Sequence, residues 1–239
     1  MAARVRIPLG VPFLLPAQGD RGKLVELIDA MRHMPGCRDY EDADVSDEVI
    51  YRVLDSARFA PSGGNRQGWR VIVIRDANVK KKMRDLYQLP WQRYVAEHYG
   101  SYEDMDPVRR KKVADADQMA ETLHEVPIHL SVWVDLEVLA VTDIDADRPS
   151  VVAGGSIFPF VQNIQLAARE EGLGTRITTL HSYEEDKVRE LLRAPKNWVP
   201  AAVILMGWPK KLPTKLSRNP VESFAFHGSF DGAPLTEKS

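Results

Sequence analysis

Ala60-Pro61-Ser62-Gly63-Gly64-Asn65-Arg66-Gln67-Gly68-Trp69-Arg70, followed at once by Val71-Ile72-Val73-Ile74, is the most informative run in the chain. A helical pattern runs into it from Asp47, and a short β-branched run leaves it. Pro61, Gly63 and Gly64 therefore lie where the backbone turns from a helix into a buried strand. Adjacent glycines let main-chain N–H groups approach something bulky that a Cβ would hold off. Ser62, Asn65 and Gln67 bring hydroxyl and amide groups, donors and acceptors together, to the same turn. That set suits the edge of a planar, heteroatom-rich ligand better than a phosphate. A phosphate loop carries Lys-Ser or Lys-Thr after its glycines, and none follows here. The alternative reading is an ordinary helix-to-strand turn.

With 239 residues the chain is long enough to bury a substantial core, and 44% hydrophobic with 28% charged residues is a globular composition. A formal net charge of −2 argues against a general nucleic-acid binder. The single cysteine, Cys37, cannot form an internal disulfide, which points to a reducing cytoplasm. No apolar run approaches the roughly 18 residues of a membrane span. Residues 7–16 are apolar but interrupted by Pro8, Pro12 and Pro16, without a small-residue cleavage site. Residues 1–21 are expected to form an extended arm that packs on another surface, such as a second subunit.

Further along, Leu24, Leu27, Ile28 and Met31 share a face of a helix expected over 22–34, ended by Pro35-Gly36. Ser46 is expected to cap the next helix, which carries Val49, Ile50, Val53, Leu54 and Ala57. Residues 78–125 read as a long, charged, mostly helical insertion. Its aromatic band (Tyr87, Leu89, Trp91, Tyr94, Tyr99) is either core packing or a lid, and its run Arg109–Lys112 is a solvated helix face. Residues 126–134 and 198–209 read as buried strands. His124 and His129 lack a metal-ligand spacing and read as structural. Ser156 is a plausible N-cap for a helix whose apolar residues, from Ile157 to Ala168, wrap more than one face. That helix is therefore expected to be buried, with Gln162, Asn163 and Gln165 needing partners. Gly172-Leu173-Gly174-Thr175 is not a dinucleotide fingerprint, since a third glycine and a preceding strand are missing.

The string from Ala60 to Ile74 closely resembles the flavin-binding signature of the nitroreductase family, APSGGNxQPW followed by a strand, with Gly68 where the family has Pro. The order of the remaining resemblances is also the family's, over roughly residues 30 to 228, and the chain looks like its actinobacterial-type subgroup. Arg38 and Tyr40 match the second Arg and the aromatic of an Arg-x-x-Arg-x-aromatic string, and Pro35 stands at the first Arg. Residues 156–163, and the Ala-Ala-Arg-x-x-Gly-Leu-Gly-Thr exit at 167–175, resemble the family's central interface helix. Arg218-Asn219-Pro220-Val221-Glu222 resembles its closing segment.

The resemblance implies an α+β, nitroreductase-like FMN-binding fold: a mixed, mainly antiparallel sheet surrounded by helices, in an intertwined homodimer with FMN at the interface. The domain would span 22–228, with 78–125 as the lid and 229–239 as a tail. Cofactor contacts would come from Pro61, Ser62, Gly63, Gly64, Asn65 and Gln67. Thr179 and Leu180 would pass flavin N5, and Arg38 and Arg218 would hold the phosphate. Arg32 and His33 are candidates to replace the Arg missing at Pro35, the alternative for Arg32 being a solvated helix-end charge. No side chain presents itself as a nucleophile or general base, as expected where the cofactor carries the chemistry. The implied activity is NAD(P)H-dependent, ping-pong reduction of a nitroaromatic or quinone-like acceptor. The alternatives are a reductive dehalogenase or flavin-cleaving enzyme of the same fold, or a non-catalytic FMN-binding protein.

Overall fold

The structure, a computed structural model, describes residues 27–32, 36–212 and 216–237. The expected N-terminal arm, His33 and Pro35 lie outside them. Helices are α1 (Leu27–Arg32), α2 (Asp47–Ala57), α3 (Ala77–Tyr99), α4 (Pro107–Thr122), α5 (Phe158–Glu170) and α6 (Glu185–Leu192). Strands are β1 (Trp69–Ile74), β2 (Ile128–Asp135), β3 (Gly174–Thr178) and β4 (Trp198–Gly207). They form one four-stranded sheet in the order β1-β2-β4-β3, and each pairing is antiparallel.

Strand β2 is buried along nearly its whole length, His129 and Ser131 included, as expected of a central strand covered on both faces. Pro200 sits inside β4, where a proline removes a ladder donor. The register shifts beside it, between Val132 and Trp133, and this bulge accommodates the proline.

Alternation along the strands creates a core on each face. On one face Leu130, Val132, Ile204 and Met206 pack against Ile50 and Val53 of α2 and Phe160 and Ile164 of α5. On the other, Trp133, Val203 and Leu205 pack against Met83 and Tyr87 of α3 and Leu123. Helix α2 starts as expected, with Ser46 Oγ accepting the Val49 N–H at 3.5 Å.

The region 78–125 is helical, and its aromatic band divides. Tyr87 is buried in the second core, stacked against Trp91. Trp91 donates to Asp117 of α4 at 2.6 Å, tying the two helices together.

Two expectations are corrected. Ser156 does not cap α5, which begins at Phe158 after Ile157; its hydroxyl accepts the Gly63 N–H at 3.0 Å instead. Helix α5 is not buried all round within one chain. Phe158 is 42% exposed, and Gln162 faces outward and needs no buried partner. The helix has one face on the sheet and α2, and the 158/162 side, four residues apart, is left uncovered. Gln165 is buried and reaches Thr175 Oγ1 at 3.5 Å, and Asn163 reaches the Ala57 carbonyl at 3.5 Å.

Candidate functional site

The glycine-rich loop is held by its own polar groups. Ser62 Oγ accepts the Gln67 N–H at 3.0 Å, and the Gln67 amide donates to Asn65 Oδ1 at 3.2 Å. Gly64, Asn65 and Gln67 all have positive φ, at 60°, 53° and 50°. Gly and Asn adopt that region readily, whereas Gln does so at a cost of about 1–2 kcal/mol. The backbone is thus curled into a strained turn, of the kind that persists where surroundings over-determine it. Arg66 is fastened to the Val138 carbonyl at 3.3 Å.

Gly68 has a steric explanation: a Cβ there would lie 2.3 Å from a Val138 methyl. The loop leaves into β1 through Trp69, whose ring stacks on Phe160 with centroids 4.6 Å apart. Ser62, Gly63, Arg66, Gln67 and Gly68 line a shallow notch with Val138 and Ser156. Pro61 and Asn65 are exposed beside it. The part of Ser156 is hidden in the sequence, where a hydroxyl after two glycines has the local signature of a helix cap.

Arg38 lies elsewhere. The Cys37 N–H donates to the Thr175 carbonyl at 2.8 Å, and Tyr40 bridges to Pro209, so residues 37–40 run beside β3 and the exit of β4. Arg38, Tyr40 and Lys210 line a cavity of about 450 Å³ against Asp115, Gln118 and Met119 of α4. Tyr40 hydrogen-bonds to the Cys37 carbonyl at 3.2 Å, and burial pushes its phenol well above the ordinary range.

Arg176 of β3 faces the same side. It pairs with Leu205, and residues opposite each other on paired strands share a face. Its Nη1 is buried and has no hydrogen-bond partner.

The other expected residues are more dispersed. Arg32 is exposed at the end of α1. Thr179 is exposed, and the Leu180 N–H donates to Thr178 Oγ1 at 3.3 Å. Arg218 is exposed, its guanidinium donating to the Ser217 carbonyl at 2.7 Å.

The sheet register measures how far apart the two polar groupings are. Trp69, at the loop's exit, pairs with Val134, while Arg176 shares a row with Leu205 and His129. From β1 to β3 is about 14 Å across, and from Val134 to His129 about 17 Å along the strands. Within one chain the loop and the Arg38–Arg176 pair therefore stand about 22 Å apart, near opposite corners of the sheet.

The sequence profile of the nitroreductase family matches residues 32–208. A putative NADH dehydrogenase/NAD(P)H nitroreductase of Archaeoglobus fulgidus is 31% identical over 176 residues, covering 72% of this chain and 79% of the relative. An FMN reductase [NAD(P)H] of Bacillus subtilis is 27% identical over 202 residues, covering 83% and 72%. Among solved structures, an iodotyrosine deiodinase bound to FMN and 3-iodo-L-tyrosine superposes with a TM-score of 0.65 at 22% identity, over 86% of this chain and 100% of that one. The loop, the antiparallel sheet flanked by helices and the extent of the profile match agree: this chain belongs to the nitroreductase family.

Proposed function

We propose that the chain is an FMN-dependent oxidoreductase that takes electrons from NAD(P)H and passes them, in ping-pong order, to a nitroaromatic or quinone-like acceptor. The observation that carries this is the strained loop of Ser62, Gly64, Asn65 and Gln67 in a member of this family. The residues fit the group. The glycines leave the backbone open to a flat ring, and an unpartnered Arg176 Nη1 beside Arg38 suits an anion. When bound, FMN supplies the two-electron carrier between donor and acceptor. The protein's part is to position that carrier. Asn65 and Gln67 offer amide donors and acceptors at the ring edge, and the Thr179–Leu180 turn borders it.

The separation of about 22 Å between loop and arginines supports a homodimer with the flavin at its interface, the loop of one subunit meeting the arginines of the other. Exposed apolar side chains agree with a covered surface. Phe224 and Phe226 of the C-terminal segment are 66% and 43% exposed within one chain, and Leu27, Ile28 and Met31 of α1 are each more than half exposed. Aromatic and methionine side chains of this kind are enriched at interfaces. Sedimentation of the purified protein tests the assembly: a stable monomer that retains a flavin absorption band would refute it.

The activity is tested by following NAD(P)H oxidation with and without a nitroaromatic or quinone. Oxidation that depends on the acceptor is expected, and a flavin-loaded protein that leaves NAD(P)H untouched would be a binder instead. At the loop, Asn65→Ala removes both the residue suited to positive φ and the side-chain acceptor for Gln67, leaving only the Asn65 backbone carbonyl. It should weaken FMN binding by about 1–3 kcal/mol, read by fluorescence titration.

A further inference from the structure

We infer that Arg176, together with Arg38, holds the phosphate of the flavin. This rests on the flavin reading above; the motif resemblance already implied the phosphate for Arg38, and the new element is Arg176, to which neither the motifs nor the comparisons give it.

The starting point is electrostatic. Arg176 rises from β3 on the face of the second core. Its stem passes Gly36, where a Cβ would stand 3.9 Å from Arg176 Cγ. Its Nη1 is buried without a partner, and among the described residues no carboxylate forms an ion pair with it.

The neighbours do not supply the missing negative charge. Tyr87 and Tyr40 stand beside the guanidinium, and burial keeps both phenols protonated. Burial lowers the Arg176 pKa from its ordinary value, and the charge of Arg38 pushes in the same direction, against Tyr87 and Tyr40. The Cys37 N–H bond to Thr175 fixes that approach, because it docks the residue before Arg38 on the residue before Arg176. Lys210, on the same cavity as Arg38, lies with its ammonium 3.4 Å from Asp39, and Asp115 and Glu125 also line that cavity, so the unmet charge is the one on Arg176 itself.

A guanidinium with a buried, unpartnered donor near a second cation is unfavourable in the free chain. It becomes favourable when a ligand brings the missing negative charge. A phosphate monoester carries close to two negative charges and three acceptor oxygens. Two guanidinium forks meet that geometry and charge together. The ring of an oxidised flavin is neutral and leaves the two cations unbalanced, so the phosphate is the better match.

The test compares FMN with riboflavin, which lacks only the phosphate, by fluorescence titration of the apoprotein. In Arg176→Met, FMN affinity should fall at least about tenfold, which corresponds to about 1.4 kcal/mol. Riboflavin affinity should change by less than about twofold, because that ligand has no phosphate to lose. Arg176→Lys should recover part of the FMN preference, and Arg38→Ala should show the same selective loss. The ratio of the two affinities is the readout, because general loosening of the fold lowers both together. An unchanged ratio in Arg176→Met and Arg176→Lys, with wild-type protein binding FMN normally, overturns the inference and leaves the flavin reading standing. Wild-type protein that binds neither FMN nor riboflavin overturns both.

Discussion

Lowering the pH from 7 to 5 should remove on the order of 4 kcal/mol of folding stability, through two histidines in the second core. His129 and His181 are 0% and 1% exposed. Each uses Nε2 on a backbone carbonyl, of Leu123 at 2.9 Å and of Met83 at 3.0 Å, and leaves Nδ1 buried without a partner. Burial lowers the pKa of His129 to about 3 and that of His181 to about 4, and for His129 the nearby Lys80, His181 and His124 push in the same direction. Lys80 is itself held at 9% exposure by the Val126 and Pro127 carbonyls. The unfolded chain takes up protons on both imidazoles as pH falls through about 6.5, while the native state stays neutral down to about 4 and 3. Stability is therefore full above pH 6.5 and declines by about 1.4 kcal/mol per pH unit for each histidine below it. Carboxylates act in a different window. Asp143, lowered to about 2 by Ser150 and Arg148, loses its contribution only below about pH 4. Urea denaturation between pH 7 and 5 measures the slope. In His181→Gln it should be about half that of the wild type, and an unchanged slope would exclude the histidines as its source.

Phe160→Ala should cost about 3–5 kcal/mol, the range for emptying a buried aromatic site. Phe160 is 3% exposed, and its ring lies nearly parallel to that of Trp69, at 9°. Part of the loss is the stacked pair itself, about 0.5–1.5 kcal/mol. The effect reaches the site because Trp69 is the first residue after the curled loop. FMN retention in this variant should therefore fall more than its residual stability alone implies. The urea midpoint and flavin released on gel filtration report the two effects separately. Phe158, two residues away and 42% exposed, is the control for assembly. Phe158→Ala should fall within about 0.5 kcal/mol in a chain whose Phe158 faces water, and clearly outside it where a second subunit covers this residue.

Much of this fold was legible because its signals are local. The β-branched run after Gly68, the Ser46 cap and the mixed but largely apolar pattern of β2 each depend on neighbours in sequence. Ser156 was misread for the opposite reason. Its hydroxyl serves a backbone N–H 93 residues away, and nothing in a local window separates that task from helix capping. The wrapped apolar pattern of α5 was also ambiguous. In the proposed dimer, a helix covered by its own chain on one side and by the second subunit on the other would look, in sequence, like one buried in a single core. Arg176 gave the faintest signal, a lone cation between Thr175 and Ile177 in a strand. Strand alternation puts every second residue on the same face, but it does not reveal which face lacks an anion. For the position where Pro35 departs from the family pattern, the sequence offered only nearby cations, Arg32 and His33. Arg176, which chain folding brings against Gly36, lies 140 positions further along.

The distance between the loop and the paired arginines has a genetic consequence in the proposed dimer. Each flavin then draws its glycine-loop contacts from one copy and its phosphate contacts, with the Thr179–Leu180 turn, from the other. A subunit damaged at Asn65 and a subunit damaged at Arg176 are, in that arrangement, defective in different halves of the same site. Mixed in one dimer, they place both lesions in one site and leave the other site wholly wild type. Two inactive alleles should thus complement each other when co-expressed, and random pairing would restore up to about a quarter of all sites. Two alleles damaged in the same half would restore none.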